Sequence, residues 1–313
     1  MKLLRGSQSG SRPQQSTVVT VGNFDGVHLG HQQLLSALRD YGFKHQLETA
    51  VVLFEPQPKE YFLGTEAPPR LSSLREKLTL LKAFGIDWVW VVRFNQAFAA
   101  QTPEAFIDRY LVEGLKARHV VVGDDFRFGS QRRGDLALLQ AVGRDHQFSA
   151  EGTGSFVAAD QRVSSTAIRD ALLAGDMALA ESLLGRPYSL AGRVIHGQQL
   201  GRKLGFPTAN IGLGRYRRAV NGVYSVWVQI GERAERLPGV ANVGVKPSFS
   251  HLAPLLEVHL LDQSIDLYGQ VLNVEFVEKI RDARKFDTLA DLQAHIQKDT
   301  ETARAQLARQ RNE

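Results

Sequence analysis

The chain of 313 residues contains no cysteine, which excludes disulfides, a thiolate nucleophile and any cysteine-bound metal or cluster. It also has no stretch of about 18 or more apolar residues, so the sequence predicts no membrane-spanning helix. The opening residues, Met1–Gln8, lack the apolar segment of a secretory signal. Together these absences favour a cytoplasmic protein.

A dense stripe of lysine and arginine interleaved with aromatic residues is missing too, although the net charge is +5, from 38 basic and 33 acidic residues. The arginines are scattered, with only short pairs such as Arg132–Arg133 and Arg217–Arg218. Nucleic-acid binding typically requires a basic groove with aromatic stacking platforms. RNA binding by the second half of the chain is the non-enzymatic alternative, but we expect no nucleic-acid partner. Nucleotide substrates account for the charge well, and a solvated surface nearly as well.

The composition, 43% hydrophobic and 23% charged, is ordinary for a globular protein, and the length allows two separate cores. Residues 18–143 alternate strand-like with helix-like segments, which predicts a parallel, doubly wound α/β sheet. Ligands of such sheets bind beyond the carboxyl ends of the strands. Because Gly22, Pro56 and Gly123 all follow predicted strands, we expect their loops to converge.

Helix boundaries in this first part carry local signals. Ser73 and Glu76 have the spacing of a capping box and predict the start of a helix. Thr102 and Pro103 are typical N-cap and first residues of another helix, predicted to run to Gly114. Two short helices are then predicted over residues 164–184.

The pattern changes after the Gly-Arg-Pro sequence at residues 185–187. Residues 189–280 show period-two alternation between turn residues, which predicts antiparallel strands of a small barrel or sandwich. A final helix is predicted over residues 288–309. Its apolar side is expected to comprise Leu289, Leu292 and Ile296. We therefore expect two domains, residues 1–186 and 187–313.

The segment from Gly22 to His31 is the most informative in the chain. It lies where a predicted strand ends and a predicted helix begins, and its glycines allow a tight turn of positive φ close to a ligand. The free N–H groups of a helix N-terminus attract phosphate. His28 and His31 are three residues apart, so on a helix they share a face and can donate hydrogen bonds to phosphoryl oxygens in a transition state. A plain strand–turn–helix junction with two solvated histidines is the alternative.

Three further segments of the first half contain residue types suited to ligand binding. Phe54-Glu55-Pro56-Gln57-Pro58 follows a strand and is stiffened by its prolines, and Gly123–Gly129 combines acidic with aromatic residues. Each of these two segments alone is equally typical of an ordinary turn. The third, Ser164-Ser165-Thr166 followed by Arg169, has hydroxyls suited to a helix N-cap and an arginine opposed to the helix dipole. A bound phosphate would relieve that opposition.

In the second half, a glycine-rich loop includes Gly201, Arg202 and Lys203 and leads to Pro207-Thr208-Ala209-Asn210. It is not a Walker A loop, because Gly-Lys-Ser/Thr is absent. In an extended segment Thr208 and Asn210 point the same way and offer the hard oxygen ligands that Mg²⁺ prefers. Two exposed polar residues on a strand are the structural alternative.

Glu257 lies in the alternating run Leu256-Glu257-Val258-His259-Leu260. The alternation places Glu257 and His259 away from the apolar face. A solvated strand residue is the usual explanation of such a carboxylate. The functional one is a base that takes a proton from an attacking hydroxyl.

The segment from Gly22 to His31 resembles the signature of nucleotidyltransferases with a His-x-Gly-His motif, and the chain as a whole resembles bacterial bifunctional riboflavin kinase/FAD synthetase. The other first-half segments match motifs of that family in its order. Residues 189–299 resemble riboflavin kinase through the Gly-Phe-Pro-Thr-Ala-Asn run, Gly222-Val223-Tyr224 and Gly239–Gly244. The resemblance implies phosphorylation of riboflavin to FMN by ATP, then adenylylation of FMN to FAD with release of pyrophosphate.

The resemblance also implies residue roles, with ATP and flavins as substrates and Mg²⁺ as cofactor. The implied catalytic residues are His28, His31, Arg169 and Glu257. The implied ATP-binding residues are Gly22, Asp25, Gly26, Ser164, Ser165, Thr166, Gly201 and Lys203. The implied flavin-binding residues are Phe54, Pro56, Asp125, Phe126, Arg281 and Phe286. Thr208 and Asn210 are the implied ligands of Mg²⁺.

Three positions depart from the family pattern: Gln57 stands where many members carry His, Ser248 where Thr is usual, and Ala283 where Glu is common. We therefore assign Gln57 no protonatable role. The resemblance leaves a monomer and a weak homo-oligomer open. A second enzymatic hypothesis keeps the first half as an adenylyltransferase for another acceptor, with a degenerate barrel. The intact Pro-Thr-Ala-Asn segment and Glu257 argue against it.

Overall fold

The computed structural model describes residues 1–6, 12–197, 201, 205–214, 216–247, 252–263 and 265–310. It divides the chain into two compact units. The first unit comprises residues 1–68 and 72–164, and the second comprises Pro69–Leu71 and Ser165–Glu313. The expected functional boundary between residues 186 and 187 stays a prediction.

The first unit contains a six-stranded parallel sheet in the order β1-β4-β3-β2-β5-β6. Its strands are β1 (Lys2–Arg5), β2 (Thr17–Val21), β3 (Glu48–Glu55), β4 (Trp88–Arg93), β5 (Ala117–Gly123) and β6 (Ser149–Thr153). The predicted doubly wound parallel sheet is confirmed. Strands β1 and β6 were not predicted, because β1 is short and β6, with the sequence Ser-Ala-Glu-Gly-Thr, lacks the apolar content of a buried strand.

Helices flank this sheet and bury both of its faces. Val18 and Val19 of β2 are both fully buried, in apolar clusters on opposite sides of the sheet. Such burial on both sides explains the continuous apolar runs of the central strands. The helices are α1 (Leu29–His45), α2 (Pro58–Leu63), α3 (Leu74–Ala83), α4 (Gln96–Ala99), α5 (Pro103–Phe106) and α6 (Leu136–Asp145). A short hairpin, β7 (Val157–Ala158) and β8 (Gln161–Arg162), follows the sheet.

The predicted helix starts are confirmed. The Ser73 hydroxyl accepts the N–H of Glu76 at 3.2 Å, and the Glu76 carboxylate accepts the N–H of Ser73 at 2.5 Å. The Thr102 hydroxyl likewise accepts the N–H of Ala105 at 3.2 Å. The helix predicted to run from there to Gly114 is confirmed as far as Val112, but it is α-helical only over Pro103–Phe106 and changes into a π-helical segment over Ile107–Val112. That wider turn includes three buried residues, Ile107, Tyr110 and Leu111.

The second unit contains a closed six-stranded antiparallel barrel in the order β10-β13-β12-β11-β14-β9. Its strands are β9 (Ser189–Ile195), β10 (Ala209–Gly212), β11 (Gly222–Ile230), β12 (Arg236–Pro247), β13 (Leu252–Leu260) and β14 (Val271–Arg281). The alternating sequence pattern was compatible with a barrel or a sandwich, and the structure is the barrel. Tyr224, Val226, Leu256, Val258 and Val274 are among its buried residues.

Three helices belong to this unit: α7 (Ser165–Ala174), α8 (Met177–Leu184) and α9 (Leu289–Gln310). The predicted break between α7 and α8 is confirmed. The predicted apolar side of the last helix is wrong at Leu289, which is 58% exposed, whereas Leu292 and Ile296 are half-buried. The fully buried residues lie later, where Ala303 and Leu307 cluster with barrel residues such as Trp227. Packing against the barrel selects the later turns of the helix, which the isolated sequence pattern cannot show.

Candidate functional sites

The signature loop of the first unit connects β2 to α1. Its backbone has positive φ at Phe24, Gly26 and Val27 (47°, 83° and 43°). Positive φ was expected at both Gly22 and Gly26, but Gly22 does not have it. At Gly22 a Cβ atom would lie 3.1 Å from the Phe24 ring, so close packing explains that glycine. Phe24 and Val27 are fully buried, and this packing holds them in a conformation that non-glycine residues rarely adopt.

Asp25 lies inside the structure, 3% exposed. Its carboxylate accepts the backbone N–H of Ser72 at 3.1 Å, and the Ser72 hydroxyl accepts the N–H of Gly26 at 2.9 Å. These bonds connect the signature loop to the residues just before α3. Ser72 was not predicted to take part, because a contact between residues so far apart in the chain leaves no local signal.

The two histidines lie together, as their spacing predicted. His28 is the N-cap of α1, and its Nδ1 accepts the N–H of His31 at 3.3 Å. Their rings stack with centroids 3.6 Å apart. Burial, and then the electrostatic interactions with His28 and Lys77, hold the pKa of His31 well below its ordinary value of 6.5. The lowered pKa favours the uncharged ring at neutral pH, and an uncharged imidazole can still donate one hydrogen bond.

Lys77, on α3, is 1% exposed and was missed in the sequence. Its position in the chain holds a signal that could have revealed it. Lys77 lies four residues before the buried Leu81, so it occupies the buried side of an amphipathic helix. A lysine on such a face needs a compensating environment and is a candidate functional residue.

Aromatic side chains surround Phe54 at the end of β3. Its ring centroid lies 5.3 Å from that of Phe98 and 6.0 Å from that of Phe94. Pro56 follows a cis peptide bond, and Gln57 is the N-cap of α2, with its N–H donated to Glu60 at 2.9 Å. The exposed α2 residue Phe62 also contacts Phe94, with centroids 5.6 Å apart. Strands β3, β2 and β5 are neighbours and parallel, so their loops leave the same edge of the sheet, as expected.

The acidic loop after β5 is held by the β7–β8 hairpin. Arg162 contacts Asp124 at 3.0 Å and Asp125 at 3.4 Å. A hydrogen bond from Ser155, then the Arg162 charge, lower the pKa of Asp124. Phe126 stacks on Phe128 at 5.3 Å. The Asp125 side chain stays largely exposed.

The hydroxyl segment spans the division between the units. Ser164 is the last residue of the first unit, and α7 of the second begins at Ser165, followed by Thr166. Arg169 therefore begins the second turn of α7, so its opposition to the helix dipole is weaker than we predicted. Its Nε donates to the Pro69 carbonyl at 2.6 Å.

In the barrel unit the glycine-rich loop approaches the Thr208–Asn210 segment. A Cβ atom at Gly197 would lie 2.4 Å from the Asn210 amide nitrogen, and one at Gly201 would lie 3.3 Å from the Thr208 hydroxyl. Asn210 is 9% exposed and Thr208 half-buried. Lys203 and Ser248 lie outside the described residues.

Glu257 occupies the centre of a row of side chains across three strands. In the strand register it is paired with Asn210 of β10 on one side and with Asn242 of β12 on the other. The Asn242 amide donates to the Glu257 carboxylate at 3.1 Å. Glu257 is half-buried while Leu256 and Val258 are buried, so the predicted alternation is confirmed. Asn242 was not singled out because strand register is not visible in one sequence.

A cavity of about 410 Å³ lies beside Thr208, and its β13 lining residues, Val258 and Leu260, alternate with Glu257 along the strand and so face the other side of the sheet. One wall includes Tyr268, whose ring stacks on His196 with centroids 4.1 Å apart. The cavity is lined by Thr208, Val258, Leu260, Asp266, Leu267 and Tyr268, among others. Such a volume is typical of small-ligand sites.

Arg281 ends β14 and is bound by the last helix. Its Nη2 donates to Asp299 at 2.7 Å, and its Nε donates to both carboxylate oxygens at 2.9 and 3.1 Å. The Phe286 ring lies 5.5 Å from the Arg281 guanidinium and 4.8 Å from that of Arg284. Ala283 is in the same loop and exposed. Asp299, which the sequence pattern did not reveal, thus anchors the residue before this loop.

Comparisons with known proteins identify both units. A family model described as FAD synthetase matches residues 11–167, and one described as riboflavin kinase matches residues 184–307. The bifunctional riboflavin kinase/FMN adenylyltransferase of Haemophilus influenzae is 48% identical over 97% of this chain and 99% of its own. That of Escherichia coli K12 is 49% identical over 97% of both chains.

A solved structure supports the architecture. It is described as a macrolide-efflux protein from Streptococcus pneumoniae, is 30% identical, and superposes with a TM-score of 0.76 over 93% of this chain and 95% of its own. Among the described residues of the present chain, no helix has the length and apolarity needed to cross a membrane. From the two family models and the identity to full-length relatives, the chain belongs to the family of bifunctional riboflavin kinase/FMN adenylyltransferases.

Proposed function

We propose that this enzyme forms FMN at the barrel and FAD at the signature loop, with the residues described above in distinct roles. The observation that carries the first assignment is the row of Asn210, Glu257 and Asn242 across three paired strands, with the Asn242 amide bonded to the Glu257 carboxylate. A carboxylate held between two amide side chains is suited to proton transfer from a hydroxyl. The functional domains are residues 1–186 and 187–313.

In FMN formation Glu257 takes the proton from the riboflavin 5′-hydroxyl as the γ-phosphoryl group of ATP is transferred. The Thr208 hydroxyl and the Asn210 amide oxygen fit Mg²⁺, because both are hard oxygen donors and nearby Gly197 leaves no side chain in the way. Bound Mg²⁺ would supply charge neutralisation to the ATP phosphates. Gly201 and Lys203 contribute to ATP binding, and Arg281 and Phe286 bind the flavin.

In FAD formation the phosphate of FMN attacks the α-phosphorus of ATP and displaces pyrophosphate. His28 and His31 donate hydrogen bonds to the phosphoryl oxygens as negative charge develops, and no covalent enzyme intermediate forms. Gly22, Asp25 and Gly26 shape the loop that holds the triphosphate. Ser164, Ser165 and Thr166 bind ATP, and Arg169 has its predicted catalytic role beside them. The flavin packs on Phe54, Pro56, Asp125 and Phe126.

The enzyme acts on ATP, riboflavin and FMN in the cytoplasm, as a monomer or weak homo-oligomer. The test of the function is to incubate purified protein with riboflavin, ATP and Mg²⁺ and to separate the flavins over time. FMN should appear first and FAD afterwards. With Glu257→Gln, FMN formation should slow about 100- to 10,000-fold, yet supplied FMN should still become FAD at the normal rate. An enzyme that adenylylates FMN but never phosphorylates riboflavin would show instead that the barrel is inert.

A further inference from the structure

The hydrogen bond between Asn242 and Glu257 has a role that neither family membership nor the sequence assigns. Asn242 lies on β12, between the buried residues Ala241 and Val243, and its register partner on β13 is Glu257. Its side-chain nitrogen lies 3.1 Å from Glu257 Oε2. Both residues are half-buried, on the face of the barrel opposite to its apolar interior.

We propose that Asn242 is a positioning residue for riboflavin phosphorylation, holding the Glu257 carboxylate where it can accept the substrate's hydroxyl proton. The proposal rests on the proposed function, in which Glu257 is the base. Asn242 does not itself touch the reacting atoms. It acts through the orientation of its neighbour.

A glutamate needs such a partner because its side chain has several rotatable bonds. Antiparallel pairing with β10 and β12 fixes the backbone of Glu257, which leaves only the side chain to be ordered. A base must come within about 2.6–3.2 Å of the group that it deprotonates. A misplacement of about 1 Å can cost about 100-fold in rate. The hydrogen bond donated by the Asn242 amide removes much of the rotational freedom of the Glu257 side chain.

The surroundings of Asn242 direct its amide toward Glu257. On the other side of β12, its register partner on β11 is Val223, which is 3% exposed and packs with residues of the last helix. That side chain has no hydrogen-bonding atom. An amide is also the suitable group chemically, because it donates to a carboxylate and neither carries charge nor takes a proton at neutral pH.

A double-mutant cycle tests the proposal in the full-length enzyme. The variants are Asn242→Ala, Glu257→Gln and the combination, and the measurements are kcat and KM for riboflavin and ATP in FMN formation. We expect Asn242→Ala to lower kcat about 10- to 100-fold while both KM values stay within about twofold. On the Glu257→Gln background the same change should lower kcat no further, because there is no base left to position.

Three controls separate positioning from a general effect on folding. Adenylylation of supplied FMN should keep its rate in every variant. Asn273→Ala, which removes another half-buried asparagine from a barrel strand, should leave kcat unchanged. If Asn242→Ala unfolds at a lower temperature than the wild type, Asn242→Val serves as the second variant, since valine suits a strand and has no donor.

The possible results are distinct. An equal loss of kcat from Asn242→Ala on both backgrounds, or a rise in both KM values, overturns the positioning role. An Asn242→Ala enzyme with wild-type kcat, beside an inactive Glu257→Gln enzyme, overturns this proposal alone. A Glu257→Gln enzyme with near-normal kcat overturns the assignment of the base, and the proposal with it.

Discussion

The imidazole rings of His28 and His31 stack with their centroids 3.6 Å apart and their planes inclined by 19°. They do so at the N-terminus of α1, where backbone N–H groups are available to an anion. We expect His28→Asn and His31→Ala each to slow FAD formation about 100- to 1000-fold, the usual cost of losing one donor to developing charge. FMN formation should be unchanged, and chromatography of the flavins measures both.

His28→Asn is preferred to alanine because His28 also caps the helix. Asparagine keeps a side-chain acceptor at the N-cap, whose loss typically costs about 1 kcal/mol. His146→Ala is the matched control, since that histidine lies at the surface beside Asp108. Equal loss of both activities in the signature-loop variants would contradict the assignment and indicate misfolding.

The lowered pKa of His31 predicts how stability depends on pH. In the unfolded chain His31 takes up a proton near its ordinary pKa of 6.5, whereas the lowered pKa of the buried ring means that the folded protein takes up that proton only at a lower pH. Below pH 6.5 the unfolded state therefore binds more protons, and the free energy of unfolding falls by at most about 1.4 kcal/mol per pH unit for this group. His119, whose pKa burial also lowers, adds to the same trend.

The measurement is the Tm of the wild type and of His31→Gln between pH 7.5 and pH 5. The wild type should lose stability as the pH falls through this range, and the variant should lose less. Comparing the two slopes removes the contribution of other groups that titrate in both proteins. Identical slopes would show that folding does not lower the pKa of His31.

Sequence patterns predicted what depends on neighbours in the chain. The capping pair of Ser73 and Glu76, the stacking of His28 on His31 and the alternation around Glu257 all follow from spacings of a few residues. Contacts between distant parts of the chain could not be predicted in this way. The bond from Ser72 to Asp25, and that from Asn242 to Glu257, depend on tertiary packing and strand register.

The last helix is a second case in which tertiary packing, and not the local sequence pattern, decides which residues are buried. Its leucine pattern predicted burial of Leu289, but the helix buries its later turns and a charged residue, Asp299, which is paired with Arg281. A buried carboxylate is stable only beside its partner, and the partner lies 18 residues away on another element. The hydrophobic periodicity of the helix sequence cannot reveal such an ion pair.

Gly197 provides a test of the proposed Mg²⁺–ATP site. A Cβ atom there would lie 2.4 Å from the Asn210 amide nitrogen and 2.7 Å from its Cγ, so Gly197→Ala must displace the Asn210 side chain. We expect the KM for Mg²⁺–ATP in FMN formation to rise about tenfold, since a ligand set tolerates little misplacement. Titration of ATP at saturating riboflavin measures it.

Gly212→Ala is the control, because a Cβ atom at Gly212 has only an ordinary contact, 3.6 Å from Ile195. It lies on the same strand as Asn210. Kinetics of that variant should match those of the wild type. An unchanged KM for ATP in Gly197→Ala would argue against Asn210 as a ligand of the metal.

Asp299 should link stability to flavin binding. Removing one partner of a buried ion pair typically costs about 3–5 kcal/mol, and less here because the Arg281 side chain is 22% exposed. We expect Asp299→Asn to lower the Tm and to raise the KM for riboflavin, because Arg281 precedes the loop that carries Phe286. The KM for FMN in adenylylation should not change.

The exposed pair of Asp262 and Arg304 offers a comparison, since ion pairs in contact with solvent contribute little to stability. Asp262→Asn should leave the Tm and both KM values close to those of the wild type. A lower Tm in Asp299→Asn without any change in the KM for riboflavin would show that the ion pair stabilises the barrel but does not order the flavin loop.

We expect helices α7 and α8 to raise the thermal stability of the barrel. They belong to the same compact unit, bury Ile168, Leu172, Leu183 and Leu184, and bring Gly175 so close to Lys279 that a Cβ atom would lie 2.6 Å from its side chain. Burial of each large apolar side chain contributes up to about 1.5–3 kcal/mol. A fragment of residues 165–313 should therefore unfold at a clearly higher temperature than one of residues 185–313, as calorimetry would measure.

Both fragments contain Thr208, Asn210 and Glu257, so both should phosphorylate riboflavin while folded. Equal Tm values would mean that α7 and α8 contribute nothing to the barrel, and would favour a boundary at residues 186 and 187 in folding as well as in function.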